Sequence, residues 1–97
     1  MKRNQAIDLI KMQFPKLRDQ YGVRHIALFG SVARDEATSK SDIDVLVEFE
    51  GKPTFDRFMD LKFFLEEILH SHVDLVTQDA LKPRIRPFIE KDLHYVA

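Results

Sequence analysis

Gly30-Ser31 closes an apolar run, and ten residues later, after Val32 to Ser41, two carboxylates follow as Asp42-Ile43-Asp44. A glycine lets backbone approach a phosphate closely, and a serine at a helix start adds a hydroxyl donor to free backbone N–H groups. Two carboxylates on one face of a strand supply hard oxygen ligands for a divalent cation. A phosphate cradle beside such ligands is the equipment of nucleotidyl transfer.

The strand reading rests on alternation. From Asp42 to Phe49, Ile43, Val45, Val47 and Phe49 fall on one face, and Asp42, Asp44, Leu46 and Glu48 on the other. Asp74, in a short strand expected over Val73 to Thr77, is the third candidate. If its strand lies beside that of Asp42 and Asp44, like charges at ~4 Å repel by about 4 kcal/mol per pair at a protein-like dielectric. A cation removes that cost. Mg²⁺ suits the donor set, because it is commonly held by one or two carboxylates plus substrate phosphates. A second ion arriving with the nucleotide would align attacking and leaving oxygens across the α-phosphorus. Arg34, one helical turn past Ser31, is placed to reach a phosphate oxygen, to brace an aspartate, or to pair with Glu36.

The positioning elements are legible around this core. Ile7, Ile10, Phe14, Leu17 and Tyr21 recur at helical spacing over residues 4 to 21, with Pro15 predicting a kink or a break and Gly22 a stop. Val23 to Phe29 reads as a strand covered on both faces. A short helix is expected from Ser31 to about Ala37 with Ser31 as its N-cap, followed by a loop over Thr38 to Ser41. Pro53 or Thr54 opens a helix to about Leu69 whose apolar residues exceed one face, so Phe63 and Phe64 belong either to the core or to an interface. Pro83 and Pro87 predict short helices in the tail, and Leu93 to Val96 a brief edge strand. The result is an α/β (α+β) domain over residues 1–97, a small mixed β-sheet of three to four strands flanked by helices.

With 97 residues, 44% hydrophobic, and 15 basic against 16 acidic side chains, the chain has the composition of an ordinary soluble protein. No membrane-spanning stretch or signal peptide is expected, and direct nucleic-acid binding has no support in a charge distribution without a basic block. Lys82, Arg84 and Arg86 form only a small basic group. The absence of cysteine rules out thiolate chemistry and fits a cytoplasmic location. His70 and His72 lack a third soft ligand and predict no transition-metal site.

Gly30-Ser31, the ten-residue spacing and Asp42-Ile43-Asp44 together resemble the signature of the DNA polymerase beta-like nucleotidyltransferase superfamily. The wording Gly-Ser-Val-Ala-Arg, then Ser-Asp-Ile-Asp-Val-Leu-Val-Glu-Phe, is similar to the minimal nucleotidyltransferase (MNT) proteins of prokaryotes. The resemblance implies that Asp42, Asp44 and Asp74 are catalytic and hold one or two Mg²⁺, while Gly30, Ser31 and Arg34 bind ATP as substrate. It also implies transfer of AMP to a tyrosine of a partner HEPN-domain ribonuclease toxin, with this chain as the antitoxin. Modification of a small molecule such as an aminoglycoside, and toxin occlusion without catalysis, are the alternatives. Asp35 departs from the pattern, since many relatives carry glycine after the arginine.

Overall fold

The computed structural model describes residues 1–97 and arranges them as four helices and a four-stranded mixed sheet. Helix α1 spans Arg3–Tyr21 and runs uninterrupted through Pro15. Pro15 and Lys11, whose carbonyl loses its intrahelical partner, are both exposed, so water can take the place of the missing donor. Gly22 ends the helix in the left-handed region, at φ 70°, and its N–H donates to the Leu17 carbonyl. That conformation favours glycine.

Strand β1 (Val23–Phe29) pairs antiparallel with β2 (Ile43–Phe49), which pairs parallel with β3 (Val73–Thr77). Helix α3 (Phe55–Leu69) makes the crossover between the two parallel strands. Thr54 starts it by accepting the Arg57 N–H at 3.1 Å, as an N-cap hydroxyl should. A two-residue strand β4 (His94–Tyr95) adds antiparallel to β1, giving the order β3-β2-β1-β4.

Alternation along these strands divides the core in two. One face, carrying Ile26, Leu28, Ile43, Val45, Val47, Val73 and Leu75, is sealed by Ile7, Ile10 and Leu17 of α1 and by Leu61, Leu65 and Leu69 of α3. The other holds only Ala27, Phe29, Leu46 and Leu81, with Val76, Ile89 and Leu93 partly covering them. Ile89 belongs to α4 (Arg86–Asp92), which carries Pro87 in its first turn, where the missing N–H costs nothing. The aspartates emerge on this thinly covered face. Of the adjacent pair Phe63 and Phe64 on α3, Phe64 stacks on Tyr21 with centroids 5.3 Å apart, whereas Phe63 is 55% exposed.

The helix after β1 differs from expectation. Helix α2 comprises Gly30–Ala33 instead of Ser31 to Ala37, and no side chain caps it, so Ser31 lies inside the first turn and is not the N-cap. It stops early because Asp35 adopts φ 60° and closes a Schellman turn. Within that turn the Glu36 N–H donates to the Ser31 carbonyl at 2.8 Å, and the Asp35 N–H to that of Val32 at 3.1 Å. Asp35 Oδ1 also accepts the Arg3 N–H at 3.0 Å, tying the loop to the start of α1. An aspartate tolerates the left-handed region far better than a β-branched residue does. Urea denaturation of Asp35→Val should therefore show a loss of about 1–2 kcal/mol, whereas Asp35→Gly should stay within about 0.5 kcal/mol of the parent.

Candidate active site

The sheet register brings the acidic residues together. Asp44 lies opposite Phe29 on β1 and opposite Asp74 on β3, so one row crosses three strands and places two carboxylates side by side. Asp42 precedes the first paired residue of β2 and continues the same face. Asp44 is half-buried, and Asp42 and Asp74 are exposed.

This crowding has an electrostatic signature. Burial first, then the charges of Asp74 and Asp42, push the Asp44 carboxyl up to about 6; a hydrogen bond that the protonated Asp44 donates to Asp74 acts in the same direction, and Arg34 opposes it. Ionising such a group beside like charges costs stability, and a bound cation would offset that cost.

Gly30 completes the arrangement. Its φ of 68° lies in the left-handed region, and a Cβ built there would overlap Asp44 Oδ2 and come 3.0 Å from Asp44 Cγ. Only glycine lets the turn into α2 pass directly over the carboxylate, which brings the backbone of Gly30-Ser31 beside the acidic row. Ser31 is partly exposed at this turn.

Arg34 is held by two carboxylates. Its Nε donates to Glu36 Oε2 at 3.2 Å and its Nη1 to Asp92 Oδ2 at 2.6 Å. The pairing with Glu36 is the local one expected; Asp92, 58 residues away at the end of α4, carries no motif. The clasp ties α2 to the tail helix on the acidic face. Three of the five guanidinium donors remain for a phosphate. Lys82 and Arg84 are exposed, and Arg86 lies within 3.7 Å of Glu90. His25 and His94 are exposed; His25 lies opposite Glu48 and His94 opposite Leu28, on rows other than that of Asp44 and Asp74.

The donor set fits Mg²⁺: it consists of carboxylate oxygens alone, and a neighbouring cation would relieve the raised Asp44. No three acids or histidines stand together so as to hold a metal ion by themselves. An open site is what Mg²⁺ shared with a nucleotide requires.

These features are those of the nucleotidyltransferases, and the chain belongs to the nucleotidyltransferase domain family, whose model matches residues 10–96. It is an enzyme of that class. Among its relatives, a candidate protein adenylyltransferase of Methanocaldococcus jannaschii is 46% identical over 90 residues, 92% of each chain. Protein adenylyltransferase MntA of Thermococcus cleftensis is 42% identical over 81 residues, 84% of this chain and 82% of its own. A solved candidate minimal nucleotidyltransferase superposes with a TM-score of 0.80 at 33% identity, covering 97% of this chain and 95% of the other. The fold is shared as well with the Shewanella oneidensis MNT antitoxin in complex with its tri-AMPylated HEPN toxin, at a TM-score of 0.67 and 22% identity over 94% and 71% of the two chains.

Two outcomes follow from this geometry. Gly30→Ala should cost about 1 kcal/mol of stability for the left-handed alanine, and more from the overlap with Asp44, and should lower kcat by about a hundredfold. The second concerns pH. The folded carboxyl of Asp44 titrates near 6, above its ordinary 3.8, so the metal-free protein binds more protons folded than unfolded between those values. It should lose stability as pH rises through that window and stay penalised above it. Asp44→Asn should raise the metal-free melting temperature at neutral pH and flatten this dependence, while abolishing the stabilisation that Mg²⁺ with AMP-PNP gives the parent.

Proposed function

We propose that this chain transfers AMP from Mg·ATP to a hydroxyl of a protein, a tyrosine of a HEPN-domain ribonuclease toxin, and thereby acts in the cytoplasm as that toxin's antitoxin. The observation that carries the chemistry is the single row of the sheet on which the Gly30 turn, Asp44 and Asp74 adjoin. The relatives named protein adenylyltransferase support a protein acceptor.

In this reading Gly30, Ser31 and the start of α2 receive the triphosphate, and Arg34 neutralises it while clasped by Glu36 and Asp92. Asp42, Asp44 and Asp74 hold Mg²⁺, which when bound offsets charge developing on the α-phosphate and the leaving oxygens. The acceptor oxygen forms a bond to the α-phosphorus as the bond to the bridging oxygen breaks, and pyrophosphate departs with that electron pair. Asp74, exposed on the edge strand, takes the hydroxyl proton and passes it to solvent.

Incubation with α-labelled ATP, Mg²⁺ and the cognate HEPN protein should put label on a tyrosine of that partner. Asp42→Asn and Asp44→Asn should each reduce the initial rate by about a hundredfold or more. Label on a small metabolite without any protein would instead assign a small-molecule acceptor. Full protection of cells by the unlabelling Asp42→Asn variant would assign occlusion.

A further inference from the structure

A cavity of about 500 Å³ opens where β2 and β3 begin, between the loop before Asp42 and the junction of α3 with β3. Lys40, Asp42, Glu66, His70, Ser71 and His72 contribute to its wall, and no apolar side chain lines it. The Ile43 N–H, donating to the His72 carbonyl at 2.9 Å, closes the sheet beneath it. We infer that this cavity is the acceptor-side subsite of the enzyme, and that it takes an anionic group adjoining the hydroxyl that receives AMP.

The inference deepens the proposed transfer reaction and rests on it. In-line displacement puts the incoming oxygen and the departing pyrophosphate on opposite sides of the α-phosphorus. The phosphate cradle follows β1, on one side of Asp44, and β3 with Asp74 forms the open sheet edge on the other. The acceptor therefore approaches across β3, and the cavity walled by Asp42 and His72 lies beside that approach.

Its chemistry selects the occupant. A purine needs flat apolar surface to bury its faces, and this cavity offers none, which argues against the adenosine of ATP. Glu66 is already satisfied within the fold, because its Oε2 accepts the Val73 N–H at 3.0 Å and lies 3.9 Å from Lys62 Nζ and 3.6 Å from His72 Nδ1. Asp42 belongs to the carboxylate group at the reacting centre. The Lys40 ammonium takes part in no ion pair of the chain, and the ring N–H of His70 and the Ser71 hydroxyl add uncommitted donors. Two sources would present an anion there: an acidic side chain next to the acceptor, or the phosphodiester left by an earlier AMP transfer, whose ribose hydroxyl then becomes the acceptor.

The test uses the full chain, the cognate HEPN protein, α-labelled ATP and intact-mass readout of each successive AMP. Lys40→Glu should raise KM for the acceptor by about tenfold, with Lys40→Arg restoring it, while KM for ATP and the affinity for Mg·AMP-PNP stay within about twofold of the parent. Loss at the first addition assigns the acidic side chain; loss confined to later additions assigns the phosphodiester. An unchanged acceptor KM and product distribution, or a loss that falls on ATP instead, overturns the subsite. A parent enzyme that never labels the partner overturns the transfer reading and this inference with it, a result distinct from a pocket variant that behaves like its parent.

Discussion

The close approach of Gly30 to the Asp44 carboxylate is the constraint on which the site depends. It fixes where the chain leaves β1, sets the α2 backbone beside the acidic row, and forbids any side chain at residue 30. Asp44 is in turn held by the register that pairs it with Phe29 on one side and Asp74 on the other. Slipping β2 by a single residue would turn Asp42 and Asp44 into the face sealed by α1 and α3, and Ile43 and Val45 toward solvent. The register is specified by the same residues that build the core. Stability and chemistry are therefore set by one alternation, read on its two faces.

The two faces carry unequal burdens. Helices α1 and α3 bury one side of the sheet continuously, and this supplies the rigidity needed to hold like charges together. The other side has only four buried apolar residues, which begin at Phe29 opposite Asp44 and are partly covered by the tail. Arg34 bridges that tail to α2 through Asp92, whose side chain is 19% exposed. The guanidinium is exposed, so the pair adds little to stability, but it orients a charge that opposes the rise of the Asp44 carboxyl. The clasp gives the thin layer a role at the site as well as in the fold.

How much of this was legible in the sequence depended on the range of the cause. Strand β2, its alternation and the third carboxylate on β3 were readable because a period of two is a local signal, and helix α3 announced its start through Thr54. Helix α2 was misplaced because a hydroxyl preference pointed to Ser31 as cap, whereas the actual entry is set by contact between Gly30 and Asp44, fourteen positions along the chain. Pro15 predicted an interruption that exposure to water makes unnecessary. Asp92 had no signal at all, since nothing in its neighbourhood marks it as a partner for Arg34. The departure at Asp35 becomes intelligible only from its dihedral angle: the position needs left-handed backbone, which glycine adopts freely and aspartate tolerates.

The edge position of β3 links these constraints to the choice of acceptor. A sheet ordered β3-β2-β1-β4 places Asp74 on an outer strand, so the acidic row is closed on the α2 side and open on the other. On the closed side the glycine turn and the Arg34 guanidinium adjoin the row from the two ends of α2. Openness on the β3 side means that nothing in the fold encloses a small acceptor, and that side meets only the polar wall around Lys40 and His70. Small-molecule sites bury most of their ligand against apolar surface. A protein acceptor has no such need, because its own fold holds the hydroxyl and contributes the rest of the contact area. The asymmetry of the sheet thus favours a reaction in which the nucleotide is bound by this chain and the acceptor is positioned by another.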